Sequence, residues 1–362
     1  MKLVPPNTDP TPSSPNPRRR YKLGVGIDIA ARTFTAATCE LDETPSKAHN
    51  FTQTPEDFIR LEKHLLAAGL LPTDMLVVME ATGTYWIELA IFLDSRGFPL
   101  SVINPATARD FAKSLLIKLK NDQIDAQMLA RLAITHKPAL WTPPPLIYRE
   151  LTQRLAQRND LVAMRTSLTN QLHALSVCPS VPSVVSRFDL LVHTIDLQLK
   201  ELEVEIKTAL NLAEEWAASV ARLQTIPGVG PLTALWLVVL TLNFTLCTKA
   251  ESLVQFAGLA PIERRSGTSV RGRPMIGHGG HGPLRSLVYM AAGSAIRFNP
   301  LIKAYYEELR LTKGKPYKVA RCAAARKLLH IAFAVATHSE PFEAAYALRN
   351  RAARLEPKAQ AR

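Results

Sequence analysis

The chain has 362 residues, of which 47% are hydrophobic and 21% charged, a balance typical of globular proteins that bury a core. This length predicts two or three domains. The longest apolar stretch, near residues 235–240, is far shorter than the ~18 residues that span a bilayer, and the N-terminus has no apolar segment of the signal-peptide kind, so we expect a cytoplasmic protein.

The net charge of +13 is concentrated in the last third of the chain. Residues 260–362 contain 19 Lys and Arg but 6 Asp and Glu, whereas the first 259 residues contain 25 of each class. A localised basic surface is typical of proteins that bind polyanions, although a surface that serves solubility is the alternative. The four cysteines form no CxxC pair, which predicts reduced thiols rather than a zinc knuckle or a disulfide framework.

The first half of the chain reads as a disordered tail followed by an α/β domain. Residues 1–20 contain six prolines and end in three arginines, the composition of a basic segment that cannot bury a core. Residues 21–145 predict three strands near 23–30, 33–41 and 48–52, then a helix at 55–69, a strand at 75–80, a helix at 84–97, a strand at 99–105 and helices at 107–119 and 122–136. The first three strands can form a meander, and the later ones need helical crossovers.

The second half is predicted to be mostly helical. Residues 146–215 predict two long helices, 146–176 and 187–215, joined by a turn in VCPSVPSVVS. The second helix carries an apolar seam that is typical of a coiled coil, which can fold back on its neighbour or dimerise; the seam consists of Ile195, Leu199, Leu202, Ile206 and Leu210. Residues 216–345 predict a second globular domain with a Gly/Arg-rich loop at 264–282, and residues 346–362 a basic tail.

Four acidic residues occupy positions from which they can converge: Asp28, Glu80, Asp122 and Asp125. Asp28 and Glu80 end two predicted strands, whereas Asp122 and Asp125 begin a helix at spacing i, i+3 and so share one face. Clustered carboxylates cannot all stay ionised without a cation, which indicates a Mg²⁺ site, or a Mn²⁺ site. Two such ions can activate an attacking oxygen and stabilise a leaving oxygen at a phosphodiester.

Each of these acids also has a structural interpretation. Asp122 can be the N-cap of its helix, and Glu80 can begin a turn with Gly83. A strand that ends in Gly-x-Asp also begins the actin-like ATPases, but their phosphate loop needs a glycine soon after the acid, where this chain has Ile29 and two alanines.

The sequence IPGVGP, residues 226–231, lies between two predicted helices. Gly228 and Gly230 permit a tight turn, and the following helix offers free backbone N–H groups, a geometry that suits a phosphate. The segment resembles a helix-hairpin-helix that grips a nucleic-acid backbone without sequence preference. An ordinary helix–turn–helix connection is the alternative.

The Gly/Arg-rich loop places a serine among cations. Ser266 follows two arginines and precedes a glycine; nearby positive charge can stabilise its alkoxide and the transition state of an attack on phosphorus. The arginines expected to contact nucleic acid are Arg264, Arg265, Arg271, Arg273 and Arg285. A flexible loop whose serines cap turns is the alternative, and His278 and His281, separated by two glycines, favour a Gly-rich turn over a metal site.

With these features together, the chain resembles the insertion-sequence transposases of the DEDD type. This family includes the bridge-RNA-guided serine recombinases and is related to the pilin-gene-inverting recombinase. The resemblance covers residues 21 to about 342 and depends on seven strings that occur in order: GIDIA, VVMEATGTYW, VINP, KNDQIDAQMLA, IPGVGPLTA, QFAGLAPIERRSGTSVRG and LRSLVYMAA.

The resemblance implies an RNase H-like domain related to Holliday-junction resolvases, a coiled-coil dimerisation segment and a mostly α-helical C-terminal transposase domain. It implies that Asp28, Glu80, Asp122 and Asp125 bind the catalytic metal and that Ser266 is the nucleophile. It further implies a covalent serine–DNA intermediate, an active site shared between subunits of a dimer or tetramer, a structured guide RNA, and a bacterial or archaeal, nucleoid-associated protein.

Two features depart from the family pattern. Relatives often have a Ser-Lys pair after the SVRG string, where this chain has Gly277 and His278, and the proline-rich tail is an addition. Three functions remain open: a DNA recombinase that uses the acids and Ser266, a metal-dependent nuclease in which Ser266 is structural, and a non-catalytic nucleic-acid-binding protein. The four-acid pattern disfavours the last of these, because a protein that only binds does not need it.

Overall fold

The computed structural model describes residues 21–42, 44–81, 83–116, 121–177, 179–262, 265–266, 270–271, 275–277 and 279–343. The predicted tails, residues 1–20 and 346–362, lie outside these ranges. The chain divides between Pro143 and Pro144 into two compact units. In the part of the chain that is described, no helix combines the length and apolarity needed to cross a membrane.

The first unit contains a five-stranded mixed sheet. Its strands are β1 (Leu23–Ile29), β2 (Thr33–Cys39), β3 (His49–Thr52), β4 (Met75–Glu80) and β5 (Leu100–Ile103). They lie in the order β3-β2-β1-β4-β5; the first three pair antiparallel, and β1–β4 and β4–β5 pair parallel. Its helices are α1 (Pro55–Leu66), α2 (Ile87–Ser95), α3 (Pro105–Ser114) and α4 (Asp122–His136). The predicted α/β meander with helical crossovers is confirmed.

The two faces of this sheet have separate cores, because successive side chains of a strand point to opposite faces. On one face, Val25 and Ile27 of β1 pack in one cluster with Leu61 of α1 and Leu93 of α2. On the other, residues of β4 pack with α3 and α4 in a cluster that includes Leu76, Val78, Phe111 and Leu129. Side chains two residues apart in a strand point to the same face, so Glu80 lies on the same face as Leu76 and Val78, which α3 and α4 cover.

Helix boundaries differ from the predictions where capping residues set them. The helix predicted at 107–119 begins at Pro105, because Asn104 accepts a hydrogen bond from the Ala106 N–H and proline suits the first helical position. It ends at Ser114, shortly before Leu116, whose φ of 57° leaves the helical region. The helix predicted at 84–97 begins at Ile87, after a turn in which the Trp86 indole N–H donates to the Gly83 carbonyl.

The second unit begins with an antiparallel pair of long helices, α5 (Leu146–Ser176) and α6 (Pro182–Asn211). Three ion pairs join them in reverse order along the chain: Arg154–Glu205, Arg158–Glu203 and Arg165–Asp196. The seam of α6 folds back, since Leu202 and Ile206 share a core with Leu151 of α5. The predicted start of α6 at residue 187 is wrong, because Pro182 occupies the first helical position, where proline costs no hydrogen bond.

The remainder of the second unit is mostly helical. Its helices are α7 (Glu214–Gln224), α8 (Pro231–Leu240), α9 (Ala250–Phe256), α10 (Gly282–Phe298), α11 (Pro300–Glu307) and α12 (Tyr317–His338). The Gly/Arg-rich loop predicted at 264–282 is wrong in part, because some of its described residues form short strands. Within it, β7 (Arg265–Ser266) pairs with β8 (Val270–Arg271), and β9 (Met275–Ile276) pairs with β6 (Pro261–Ile262), which precedes the loop. Valine and isoleucine between the glycines favour this pairing.

Candidate active site

Two of the four acids lie side by side at the ends of adjacent parallel strands. Ile27 of β1 pairs with Met79 of β4. Asp28 directly follows Ile27 and Glu80 directly follows Met79, so the two acids lie at the same edge of the sheet. In parallel strands in register, neighbouring residues point to the same face. Both acids are partly exposed, although the residues before them are fully buried.

Helix α4 brings the other two acids to this point because glycines let it lie directly on β1. A side chain at Gly26 would collide with the backbone at Ala126 and Ala130, and one at Gly24 with the Ala130 carbonyl. Gly24, Gly26 and Asp28 are two residues apart along β1 and therefore share one face, so Asp28 lies on the face that α4 covers. Asp122 and Asp125 lie in the first turn of α4, directly before Ala126. Since Ala126 lies against Gly26, this turn lies near the end of β1 that carries Asp28.

The charges of these acids act on Asp28. Burial, followed by repulsion from Asp125, Asp122 and Glu80, raises the pKa of Asp28 from 3.8 to about 6, while a hydrogen bond from the Ile29 backbone lowers it. Asp125, Asp122 and Glu80 are therefore each near enough to Asp28 to interact with it electrostatically. A divalent cation would reverse the sign of this interaction, because it favours the ionised form of each ligand.

The four acids do not form a closed ligand set in this arrangement. Among the described residues, no group of three or more His, Cys, Asp or Glu side chains is placed to hold one metal ion. The oxygen ligands of the four acids fit a hard cation such as Mg²⁺.

The alternative role of Asp122 as a helix cap is wrong. Asn121 is the N-cap of α4, and its side-chain oxygen accepts a hydrogen bond from the Ile124 N–H at 2.8 Å. Asp122 is therefore the first helical residue and is exposed, while Asp125 is half-buried. Both acids lie at the positive end of the helix dipole, which stabilises their charge.

Residues that sequence reasoning missed form the rim of the acid cluster. The Gln53 side-chain amide donates to the Ala30 carbonyl after β1, at 3.4 Å, and to the Tyr85 carbonyl after β4, at 3.3 Å. This bridge holds together the two loops that follow Asp28 and Glu80. No sequence signal marks Gln53, because its partners are backbone groups distant along the chain. Gly24 and Gly26 do carry a sequence signal, because alternate glycines in a buried strand indicate that another backbone approaches closely.

Ser266 lies in a two-stranded hairpin of the second unit. Ser266 of β7 pairs with Val270 of β8, and Arg265 pairs with Arg271. Two predicted cationic contacts, Arg264 and Arg273, lie outside the described residues, as does His278.

The segment at 226–231 joins α7 to α8 by a tight turn. Gly228 has a φ of 96°, and a side chain there would collide with the backbone of Ala295 in α10. Gly228 is therefore needed for packing, while Gly230 is exposed at the N-cap of α8 with nothing within 4 Å of its missing side chain. Binding of a phosphate at this turn stays a prediction, and of the two glycines only Gly230 is accessible for it.

Arg285, a predicted nucleic-acid contact, and His281 hold the loop before α10. Arg285 donates from Nη1 to the Gly279 carbonyl at 2.9 Å. His281 caps α10 by accepting a hydrogen bond at Nδ1 from the Leu284 N–H, and its ring stacks on Phe256 with centroids 5.2 Å apart. Burial lowers the pKa of His281, so a neutral ring can accept this bond. The cap gives His281 a structural role.

Two sequence profiles of transposases match the chain, and several known proteins are similar to it. A sequence profile of DEDD-type IS110 transposases matches residues 25–176, and a profile described as transposase IS116/IS110/IS902 family matches residues 220–307. The chain is similar to the pilin gene-inverting proteins of Moraxella lacunata and Moraxella bovis, each 32% identical over 327 residues, or 89% of this chain and 98% of the relative. The transposase for insertion sequence element IS1328 of Yersinia enterocolitica is 26% identical over 88% of this chain and 98% of its own.

Proposed function

Because the chain belongs to the IS110 family of DEDD-type transposases, we propose that it recombines the DNA of an insertion sequence through a covalent bond between Ser266 and DNA. Enzymes of this family cleave and transfer DNA strands. The observation that supports the catalytic assignment is that β1, β4 and α4 bring three acids near Asp28, whose pKa is raised to about 6 by burial first and then by repulsion from these acids. A protein that only binds nucleic acid gains nothing from this repulsion.

The family implies dependence on a divalent metal, and we assign its binding to Asp28, Glu80, Asp122 and Asp125. When bound, Mg²⁺ or Mn²⁺ would supply positive charge to the scissile phosphodiester and its leaving oxygen. Gln53 keeps the two loops at the rim in place, and Gly24 and Gly26 let α4 approach. The sheet order β3-β2-β1-β4-β5 supports an RNase H-like fold for this unit.

The Ser266 hydroxyl is the proposed nucleophile. Its oxygen attacks the phosphorus and loses its proton to solvent or a nearby base, a serine–phosphate ester forms, and the bond to one deoxyribose oxygen breaks to leave a free hydroxyl end. A hydroxyl end of another strand then attacks the ester, restores the serine and joins the strands. Each step exchanges one phosphate ester for another, so the strand exchange needs no external energy source.

The remaining proposals concern partners. The acids and Ser266 lie in different units of the chain, an arrangement that is compatible with an active site shared between subunits of a dimer or tetramer. The basic last third, with Gly230 and the arginines of the 264–285 segment, is assigned to target and donor DNA; Gly228, the other predicted glycine, shapes the turn by its packing against Ala295. A structured guide RNA would supply the sequence specificity, because a backbone grip carries none.

A strand-exchange assay with substituted acids tests this function. Asp28→Asn, Glu80→Gln, Asp122→Asn and Asp125→Asn should each reduce strand exchange at least 100-fold in Mg²⁺, since each removes one ligand charge, while binding of DNA persists. Asp110→Asn is the matched control, because Asp110 is an exposed acid of α3 that pairs only with Lys113 in the described contacts. Exchange at the unsubstituted rate by the Asp122→Asn protein would exclude the four-acid assignment.

A further inference from the structure

Five side chains that have no role above form a cluster where α10, α11 and α12 meet. Tyr289 and Met290 come from α10, Tyr306 from α11, and Tyr317 and Arg321 from α12. These five residues are called the Tyr317 cluster below. The cluster combines aromatic rings with a cation in the part of the chain that carries the whole excess of positive charge.

Arg321 is held in one place by α10 and by Tyr317. Its Nε donates to the Tyr289 carbonyl at 3.1 Å and its Nη1 to the Tyr317 hydroxyl at 3.1 Å, while its guanidinium carbon lies 4.3 Å from the centre of the Tyr289 ring. Gly293 leaves the space for this side chain, because a Cβ there would lie 2.8 Å from Nη2. The fixed guanidinium in turn orients the Tyr317 ring.

The oriented ring remains accessible to solvent. Tyr317 is 50% exposed and Met290 is 65% exposed. Tyr306 meets Tyr317 edge to face, at 83° and 6.4 Å between ring centres, a contact that holds a ring without covering both of its faces. The Tyr317 ring is held in place where three helices meet and is half exposed to solvent. It is therefore suited to bind a ligand that stacks on its free face.

The charges next to the ring indicate an anionic ligand. Lys315 and Lys318 are exposed on either side of Tyr317 along the chain. Glu307, beside Tyr306, is an exposed acid next to the cluster in sequence. Glu308 follows it but pairs with Lys313, so Lys315 and Lys318 outnumber Glu307. Aromatic faces combined with flanking cations bind unpaired nucleic acid, because the bases stack and the phosphates pair with the cations.

We propose that the Tyr317 cluster binds an unpaired stretch of nucleic acid, with one base stacked on the Tyr317 ring and the adjacent phosphates next to Lys315 and Lys318. The proposal depends on the proposed function only in requiring that the protein handles nucleic acid. It is independent of the acids and of Ser266, since binding can be measured without metal and without cleavage. A base inside a duplex is already stacked on both faces by its neighbours and cannot stack on Tyr317, so the site selects unpaired strands.

Equilibrium binding of the full chain to fluorescent dT12, rU12 and a 12-base-pair duplex in EDTA tests the proposal. Tyr317→Ala should weaken binding of the single strands about tenfold, the effect of losing one stacked base, and should leave duplex binding within twofold. Tyr317→Phe keeps the ring and its contact with Tyr306 and loses only the hydrogen bond from Arg321, so it should retain most of the single-strand affinity. Val319→Ala is the matched control, because Val319 is 53% exposed on the same helix but offers no ring.

A spectroscopic measurement separates stacking from a purely structural role of the cluster. A single strand that contains 2-aminopurine should lose fluorescence when it binds the unsubstituted or Tyr317→Phe protein, and should keep more of it with Tyr317→Ala. An equal loss of affinity for duplex and single strands would overturn the proposal, and so would unchanged affinity and quenching in Tyr317→Ala. A preference for dT12 over rU12, or the reverse, would identify the strand as DNA or RNA.

Discussion

At the scale of single residues, the candidate site depends on one aspartate whose charge the fold opposes. Asp28 follows a fully buried isoleucine and lies near three other acids, so burial and repulsion raise its pKa to about 6. Such opposition is typical of functional sites, where a fold tolerates charge that it would otherwise exclude. The same raised pKa predicts how the stability of the protein depends on pH.

The Asp28→Asn protein should be more stable than the unsubstituted protein at pH 7.5 in EDTA, by roughly 1–2 kcal/mol after screening of a partly exposed group. The folded protein holds the Asp28 proton more tightly than the unfolded chain, so this group lowers stability as pH rises from about 4 to about 6 and keeps it low above that range. The difference should therefore shrink as pH falls from 6 to 4. Urea unfolding at several pH values measures it.

The control for this stability measurement is again Asp110→Asn, whose unfolding free energy should change by less than about 0.5 kcal/mol. A destabilised Asp28→Asn protein at pH 7.5 would show that the carboxylate has a stabilising partner in the folded state. Addition of Mg²⁺ should raise the melting temperature of the unsubstituted protein more than that of Asp28→Asn, because ligand binding to the folded state stabilises it.

At the scale of elements, the position of α4 on β1 decides whether the four acids meet. Gly24 and Gly26 bring the backbone of the helix onto the strand, and Asn121 fixes where the helix begins. The acids therefore converge because of two glycines and a cap, none of which carries any of the proposed chemistry.

Gly26→Ala should reduce strand exchange at least 10-fold although all four acids are present. The new methyl group would overlap the backbone at Ala126 and Ala130, so α4 must move and stability should fall by about 1–3 kcal/mol. Gly282→Ala is the matched control, since a Cβ there meets nothing within 4 Å. The Mg²⁺-induced rise in melting temperature reports the site separately from the fold, and a full rise in Gly26→Ala would contradict this account.

At the scale of the whole molecule, charge divides the chain into a balanced first part and a basic last third. Phosphate contacts release counterions, so the affinity of the full chain for DNA should fall steeply with salt. Arg265→Ala and Arg271→Ala should each lower the slope of log K against log salt by about 1 and weaken all DNA sequences about equally. Arg60→Ala is the control, because Arg60 lies in the first unit and pairs with Asp57.

The order of strands and helices could be predicted from the sequence because hydrophobic periodicity changes from two to 3.6 along the first 145 residues. The position of the four acids could be predicted as well, since each stands at or near the end of an element; their role as metal ligands stays a prediction. The position of α4 on the glycines, the start of α6 at Pro182 and the cap at His281 could not be predicted, because each depends on a contact or a backbone angle. The Tyr317 cluster was missed for the same reason, since its members are distant in sequence.

The most direct test of the recombinase mechanism is to trap the protein on cleavable DNA in Mg²⁺ and map the residue that carries the nucleotide. The DNA should be linked to Ser266, Ser266→Ala should form no adduct while it still binds DNA, and Ser269→Ala, in the same segment of the sequence, should keep the adduct. A link to Ser269 or Tyr289, or DNA cut by water with no adduct at all, would contradict the serine mechanism and favour the nuclease.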